Sequence, residues 1–485
     1  MIRRFWAGSG LRVTDTTRPF AKRARPAARA ANRQGFVPAD AAREAEAMKV
    51  PGLPARIAAA HIIADVAHGG HRLDECFSPL AVPARLTGLA PRDVALVRSI
   101  ATTALRRLGV IRKALSILLE KGLPRQAARL EWPLIAGAAQ ILFLDAADHA
   151  AVDLAVRAAR LEPKSAGFAG LVNAVLRNLQ RRREEFLELA ASGEFDAPPW
   201  MAQRWRRTYG EAAARAISAM HMMEPPLDLS CKSDAEGWAE RLGGVLLPTG
   251  SVRLVERTPI AELDGYRDGE WWVQDAAAAL PARFLAAKAD ERVLDMCAAP
   301  GGKTAQLALS GARVVALDRS AERLKLLAAN LNRLKLHAEI AVSDATGFSA
   351  SPFDAILVDA PCSATGTIRR HPDVPWTKKP GDIEGLASIQ AKMLDRAATL
   401  VRPGGRIVYC TCSLEPEEGE LQIAAFLRRN PDFRREPLEP RKDMVPAEFV
   451  NEDGDMRTLP TMLPHAEPRL AGVDGFFASR IVRRE

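Results

Sequence analysis

No stretch of the sequence approaches the ~18 consecutive apolar residues of a membrane-spanning helix. The longest candidate, Pro133 to Leu144, is short and carries Gln140, so it reads as a buried helix and no membrane association is expected. Cysteine is scarce, with six in 485 residues. That excludes the disulfide framework of a small secreted protein and points to a reducing, cytoplasmic setting. Four of the six (Cys297, Cys362, Cys410 and Cys412) gather in the C-terminal part of the chain. No internal repeat is present.

The remaining composition, 48% hydrophobic and 26% charged, is that of an ordinary globular chain. Its length suggests about three domains. A net charge of +9 favours a polyanionic partner, although it says nothing about fold. Residues 1–49 are rich in Ala and Arg (Arg3, Arg4, Arg12, Arg18, Lys22, Arg23, Arg25, Arg29, Arg33) and poor in acids. A transit peptide, a nucleic-acid arm and a solvated tail all fit that composition. Ala and Arg are abundant throughout the chain, so the disordered tail is the preferred reading.

Residues 50–191 carry apolar side chains at helical spacing, as in the stripe Leu171, Val172, Val175, Leu176 and Leu179, and form an all-α domain. SGEFDAPP, residues 192–199, is a linker. Residues 200–285 begin with a helix, WMAQRWRRTYGEAAARAISAMHMM, stopped by Glu224-Pro225-Pro226, and continue as a small α+β connecting subdomain. From 286 to 485 the texture is that of an α/β domain. RVLDM, ARVVALD, AILVDA and GRIVYCT are short apolar runs separated by helix-like stretches, the pattern of a parallel, Rossmann-like sheet covered on both faces. Ligands of such sheets bind beyond the carboxyl ends of the strands.

VLDMCAAPGGKTAQLAL reads as strand, glycine turn, helix. A phosphate-binding loop needs a glycine where this chain has Cys297, and the adjacent Gly301 and Gly302 exclude the dinucleotide pattern. What remains is a Pro-Gly-Gly turn that a ligand can approach closely. Asp318 ends the next strand, where an acid holds ribose hydroxyls, and Asp344 ends a third strand in EIAVSDA, where it could meet a base edge. A loop ringed by carboxylates and lacking a phosphate cradle suits a nucleoside with a cationic centre, S-adenosylmethionine.

Asp359 and Cys362 follow the fourth strand, and Cys410 and Cys412 close the fifth. Three readings compete. Zinc is disfavoured, because Cys410 and Cys412 alternate along a strand and should face opposite ways. Inert burial suits Cys410, Cys76 and Cys231. Covalent catalysis suits Cys362 and Cys412, which lie in loops at the ligand end. A thiolate added to carbon 6 of cytosine makes carbon 5 nucleophilic enough to take a methyl group. A nearby carboxyl then hydrogen-bonds the ring nitrogen as charge develops.

The strings LDMCAAPGGKT, ALDRS, DAPCSATGTIRRHPDVPW, YCTCSLEPEEGE and DGFFASRI, with WWVQDAAAAL around Gln274-Asp275, resemble the Sun/RsmB-type RNA cytosine-5 methyltransferases. The resemblance implies Cys412 as nucleophile and Cys362 as the group assisting product release. It also implies a cofactor site of Cys297, Ala298, Ala299, Pro300, Gly301, Gly302, Lys303, Asp318, Asp344 and Asp359, with Asp359 also facing the target base. No metal is expected. The helical region, through AAQILFLD, DHAAVDLAV and GLVNAVLRNLQRR, resembles the NusB-type RNA-binding fold. Small-subunit ribosomal RNA is then the expected substrate, presented single-stranded or with its cytosine flipped out, to a monomeric enzyme. Asp148, Ser230 and Lys232 depart from the family's pattern outside the catalytic motifs. Arg369, Arg370, His371 and Trp376 are candidates to hold the RNA. A transfer RNA methyltransferase and a non-catalytic assembly factor are the alternatives.

Overall fold

The computed structural model describes residues 48–78, 85–162, 164–256 and 258–485; the basic stretch 1–47 lies outside them. Among the described residues no helix is long and apolar enough to cross a membrane. The chain divides into two compact units.

The first unit comprises residues 48–63, 85–104 and 110–187 of the described chain and is helical. Helices Glu131–Phe143, Asp148–Leu161 and Ala169–Arg181 pack on one another. The stripe expected of the third holds, with Val172, Val175, Leu176 and Leu179 buried. Every residue from Pro133 to Leu142 is buried, and Gln140 satisfies itself on the Ala136 carbonyl one turn back, at 2.9 Å. Asp148 starts its helix and accepts hydrogen bonds from Gln180 at 3.1 Å and from Arg183.

The second unit comprises residues 64–78, 105–109, 188–256 and 258–485 of the described chain. Its long helix Pro199–His221 is broken at Gly210, whose φ of 81° and ψ of 166° suit glycine and no helix. A small antiparallel sheet follows, made of β1 (Asp228–Cys231), β2 (Val245–Leu246), β3 (Val252–Arg253) and β4 (Trp271–Val273) in the order β2-β3-β1-β4. Arg253 and Asp228 pair in a buried fork at 2.7 and 2.8 Å between its central strands.

The large sheet contains β5 (Arg292–Met296), β6 (Arg313–Asp318), β7 (Glu339–Val342), β8 (Phe353–Asp359), β9 (Val401–Thr411), β10 (Phe433–Arg435), β11 (Met456–Thr458) and β12 (Phe476–Arg483). Its order is β10-β12-β9-β8-β5-β6-β7, with β11 pairing on β12. Alternation along each strand supplies two buried faces. Val293, Ala316, Leu357 and Val408 join Leu307 and Leu327 on one side, while Leu294, Val315, Ile356 and Ile407 join Leu394 and Phe426 on the other. Each such Val, Leu, Ile or Phe side chain stabilises the fold by about 1.5–3 kcal/mol. Strands β5 to β9 are parallel, as the sequence pattern predicts, but β12 enters antiparallel between β10 and β9, so the sheet is mixed. A parallel neighbour requires a crossover connection, usually a helix; between β11 and β12 there is only the short 3-10 turn Pro468–Leu470.

Candidate active site

The carboxyl end of β5 sets the cofactor loop. Cys297 adopts a φ of +64°, the Ala299–Pro300 peptide is cis, and Gly301 has a φ of +104°. A Cβ at Gly301 would lie 2.9 Å from Leu327 Cγ, so only glycine lets this turn close before helix Gly302–Leu309 begins. Asp318, at the end of β6, is buried and ties the loop down. Its Oδ2 accepts from the Ala299 amide at 3.3 Å and pairs with Arg323 Nη1 at 3.3 Å, while Oδ1 accepts from the Ser320 amide at 2.9 Å. Burial, reinforced by Asp359, Asp318 and Asp295, pushes the Cys297 thiol up to about 12, which leaves it a protonated wall of the site. Asp344 lies just beyond β7, exposed, with its carboxylate turned onto the amide of Thr346 at 2.8 Å. It shares the strand-end rim with Asp318 without touching the other carboxylates through any hydrogen bond found.

Lys303 reaches across to Asp359 at the end of β8, Nζ to Oδ2, at 2.8 Å. Burial works against the Lys303 charge, yet Asp359, Cys410 and Cys412 outweigh it and hold the ammonium above the usual lysine range. Cys410 is wholly buried, as expected, but it is not merely packing: its thiol donates to Asp359 Oδ1 at 3.4 Å. Cys412 stands one residue past β9 and two from Cys410, and side chains two apart along a strand share a face. Both thiols therefore lie near Lys303, and the expectation of opposite faces fails because it misapplies the two-residue period of a strand.

Cys362 and Cys412 come together from the ends of β8 and β9, their sulfurs 3.4 Å apart, both half-buried and unbridged. The contact with Cys412 and then burial hold the Cys362 thiol well above the ordinary thiol range.

The candidate RNA-holding residues all have partners within the chain. Arg369 is buried, and Arg370 is locked between Asp275 at 2.6 Å and Asp474 at 2.8 Å. His371 pairs with Asp74 at 3.1 Å, and Trp376 donates its indole N–H to the Leu105 carbonyl at 2.8 Å. These four brace the loop after Cys362. Gln274 is a hub too, accepting from Ser230 and Trp272 at 2.8 Å each.

Two acids that the sequence does not single out prove central. Glu418 is taken up below. Asp295 lies within β5, fully buried; its Oδ2 accepts from Thr304 at 2.6 Å and its Oδ1 has no hydrogen-bond partner. The only sequence signal is an acid inside the apolar run VLDM. Burial, with Asp359 and Asp318 adding to it, pushes the Asp295 carboxyl up to about 7, against the pull of Thr304 and Lys303. A folded-state value above the ordinary 3.8 means the fold keeps this proton after the unfolded chain has lost it. The associated stability is whole at low pH and is lost as pH climbs through that interval toward about 7. Asp295→Asn should therefore flatten the fall in melting temperature between about pH 5 and pH 8, as thermal melts at the two values will show.

The residues present fit a nucleoside that carries positive charge: a glycine turn open to close approach, Asp295 with an unsatisfied buried oxygen, and Asp318 and Asp359 beside it. The chain accordingly falls in the class of S-adenosylmethionine-dependent methyltransferases. Residues 282–482 match the family described as 16S rRNA methyltransferase RsmB/F, and residues 53–181 match the NusB family. The ribosomal RNA small subunit methyltransferase B of Vibrio cholerae is 36% identical over 414 residues, covering 81% of this chain and 94% of that protein. The enzyme of the same name from Xanthomonas campestris is 36% identical over 409 residues, covering 80% and 90%. The solved structure of PH0851 superposes with a TM-score of 0.65 at 22% identity, covering 89% of this chain and 99% of its own. The chain belongs to the RsmB/F family of methyltransferases.

Proposed function

We propose that this enzyme methylates carbon 5 of a cytosine in small-subunit ribosomal RNA through a covalent adduct on Cys412. The observation that carries the reading is the 3.4 Å approach of Cys362 and Cys412 beside the Lys303–Asp359 pair. The names of the curated relatives support the choice of RNA, and the NusB match supports residues 50–191 as the RNA-binding domain.

S-adenosylmethionine, when bound, supplies an electrophilic methyl group. Residues 297–303, Asp318, Asp344 and Asp359 are positioned to hold it. The Cys412 thiolate adds to carbon 6 of the cytosine, and the electron pair so released makes carbon 5 the nucleophile for that methyl. Asp359, fixed by Lys303 and the Cys410 thiol, is placed to hydrogen-bond the ring nitrogen as charge builds there. Loss of the carbon 5 proton then re-forms the double bond and expels Cys412, the step assigned to Cys362. A relic binding protein is disfavoured because both thiols and the glycine turn are intact.

Nucleoside mass spectrometry after incubation with the cofactor tests this. 5-Methylcytidine is expected in small-subunit ribosomal RNA and not in transfer RNA. The reverse pattern would reassign the substrate, and no 5-methylcytidine in either RNA would sink the reading.

A further inference from the structure

Each of the two reactive cysteines is followed by a serine, and both serines converge on one acid. Glu418 is wholly buried. Its Oε1 accepts from the Ser363 amide at 2.9 Å and from Gln390 Nε2 at 3.0 Å; its Oε2 accepts from the Ser413 hydroxyl at 2.5 Å and from the Ser363 hydroxyl. The Gln390 amide also donates to the Pro361 carbonyl at 2.9 Å. The Glu418 carbonyl accepts from Tyr409 at 2.8 Å and Thr411 at 3.1 Å. Pro361 and Ser363 flank Cys362, and Thr411 and Ser413 flank Cys412. Every partner found for the carboxylate is neutral. Burial lifts its carboxyl above the usual range, opposed by the donors from Ser363, Ser413 and Gln390. A buried acid with no cation beside it is costly unless its hydrogen bonds are complete. This one directs them to the two cysteine loops and to Gln390, which itself holds the Pro361 carbonyl.

We infer that Glu418 is a positioning residue for the two-thiol reaction, setting the distance between Cys362 and Cys412 through Ser363 and Ser413. The inference rests on the covalent reading above. The two arms act on different steps: the Ser413 arm aims the nucleophile, and the Ser363 arm aims the thiol that serves release. A tie needed only for folding would not separate them.

The test begins with Cys362→Ala, whose RNA adduct on a denaturing gel reports Cys412 alone. Adding Ser413→Ala or Glu418→Gln should slow adduct formation by about 100-fold, the usual consequence of a misplacement near 1 Å, with cofactor affinity unchanged. In the otherwise unaltered enzyme, Ser363→Ala should instead form the adduct normally and resolve it slowly, so that adduct accumulates. Should Glu418→Gln not fold, the two serine variants carry the same test. If Cys362→Ala forms no adduct, the covalent reading falls and this inference with it. If Cys362→Ala forms the adduct and the added substitutions leave its rate unchanged, the covalent reading stands and the role of Glu418 is refuted. Identical effects of the two serine variants would refute it equally.

Discussion

Cys412→Ala should give neither methylated RNA nor a covalent adduct, while Cys362→Ala should bind its RNA irreversibly and run with it on a denaturing gel. Removing the nucleophile takes away the only route by which carbon 5 is activated, so a loss of about 10⁴-fold or more is expected. Removing Cys362 leaves addition and methyl transfer in place and stops the chain of events at the intermediate. The geometry makes the asymmetry readable. The sulfurs are 3.4 Å apart, yet they hang from the ends of different strands, β9 and β8, so each can be removed without displacing the other. Labelled ribosomal RNA, the cofactor and the two variants suffice for the measurement. An adduct on Cys412→Ala in place of Cys362→Ala would move the nucleophile to the loop after β8.

Gly366→Ala should strongly destabilise the catalytic unit. A Cβ on Gly366 would lie 2.8 Å from the Gly475 Cα and overlap the Gly475 carbonyl. Neither backbone can retreat. Gly366 donates its amide to the Cys412 carbonyl at 3.0 Å, and its own carbonyl accepts from the Gly475 amide at 2.9 Å. Overpacking of this kind costs about 3 kcal/mol or more, a large share of a domain's net stability. Calorimetry should show a lowered transition, accompanied by loss of cofactor binding. Gly385→Ala, on helix Pro380–Leu400 with open space around it, is the control; it should leave the transition in place or raise it.

Much of this was legible in the chain itself. β5, β6 and β8 announce themselves because each is an apolar run ending in an acid or a turn, as a strand buried on both faces must be. The cofactor loop is legible because its Pro-Gly-Gly turn joins the carboxyl end of a buried strand to a helix, where ligands of such sheets bind. The place of β12 is not, since an apolar run carries no record of which strand it pairs with. The arginines after Cys362 mislead for a similar reason. Beside a reactive loop they look like RNA contacts, but Arg370 meets Asp275 and Asp474, which lie 95 and 104 residues away in the chain. Glu418 is hidden by its company. In LEPEEGE it is one acid among four, and only the fold separates it from Glu415 and Glu417, both of which pair with Arg204.

The insertion of β12 between β10 and β9 bears on how the enzyme is made. The strand that leads into Cys412 leaves the ribosome well before residues 476–483, which complete its hydrogen bonding. A nascent chain paused between them carries the cofactor loop and both cysteines, yet one side of β9 is an open edge, ready to pair with a neighbouring chain. The strand that carries the nucleophile therefore reaches its full hydrogen bonding only after residues 476–483 have been added.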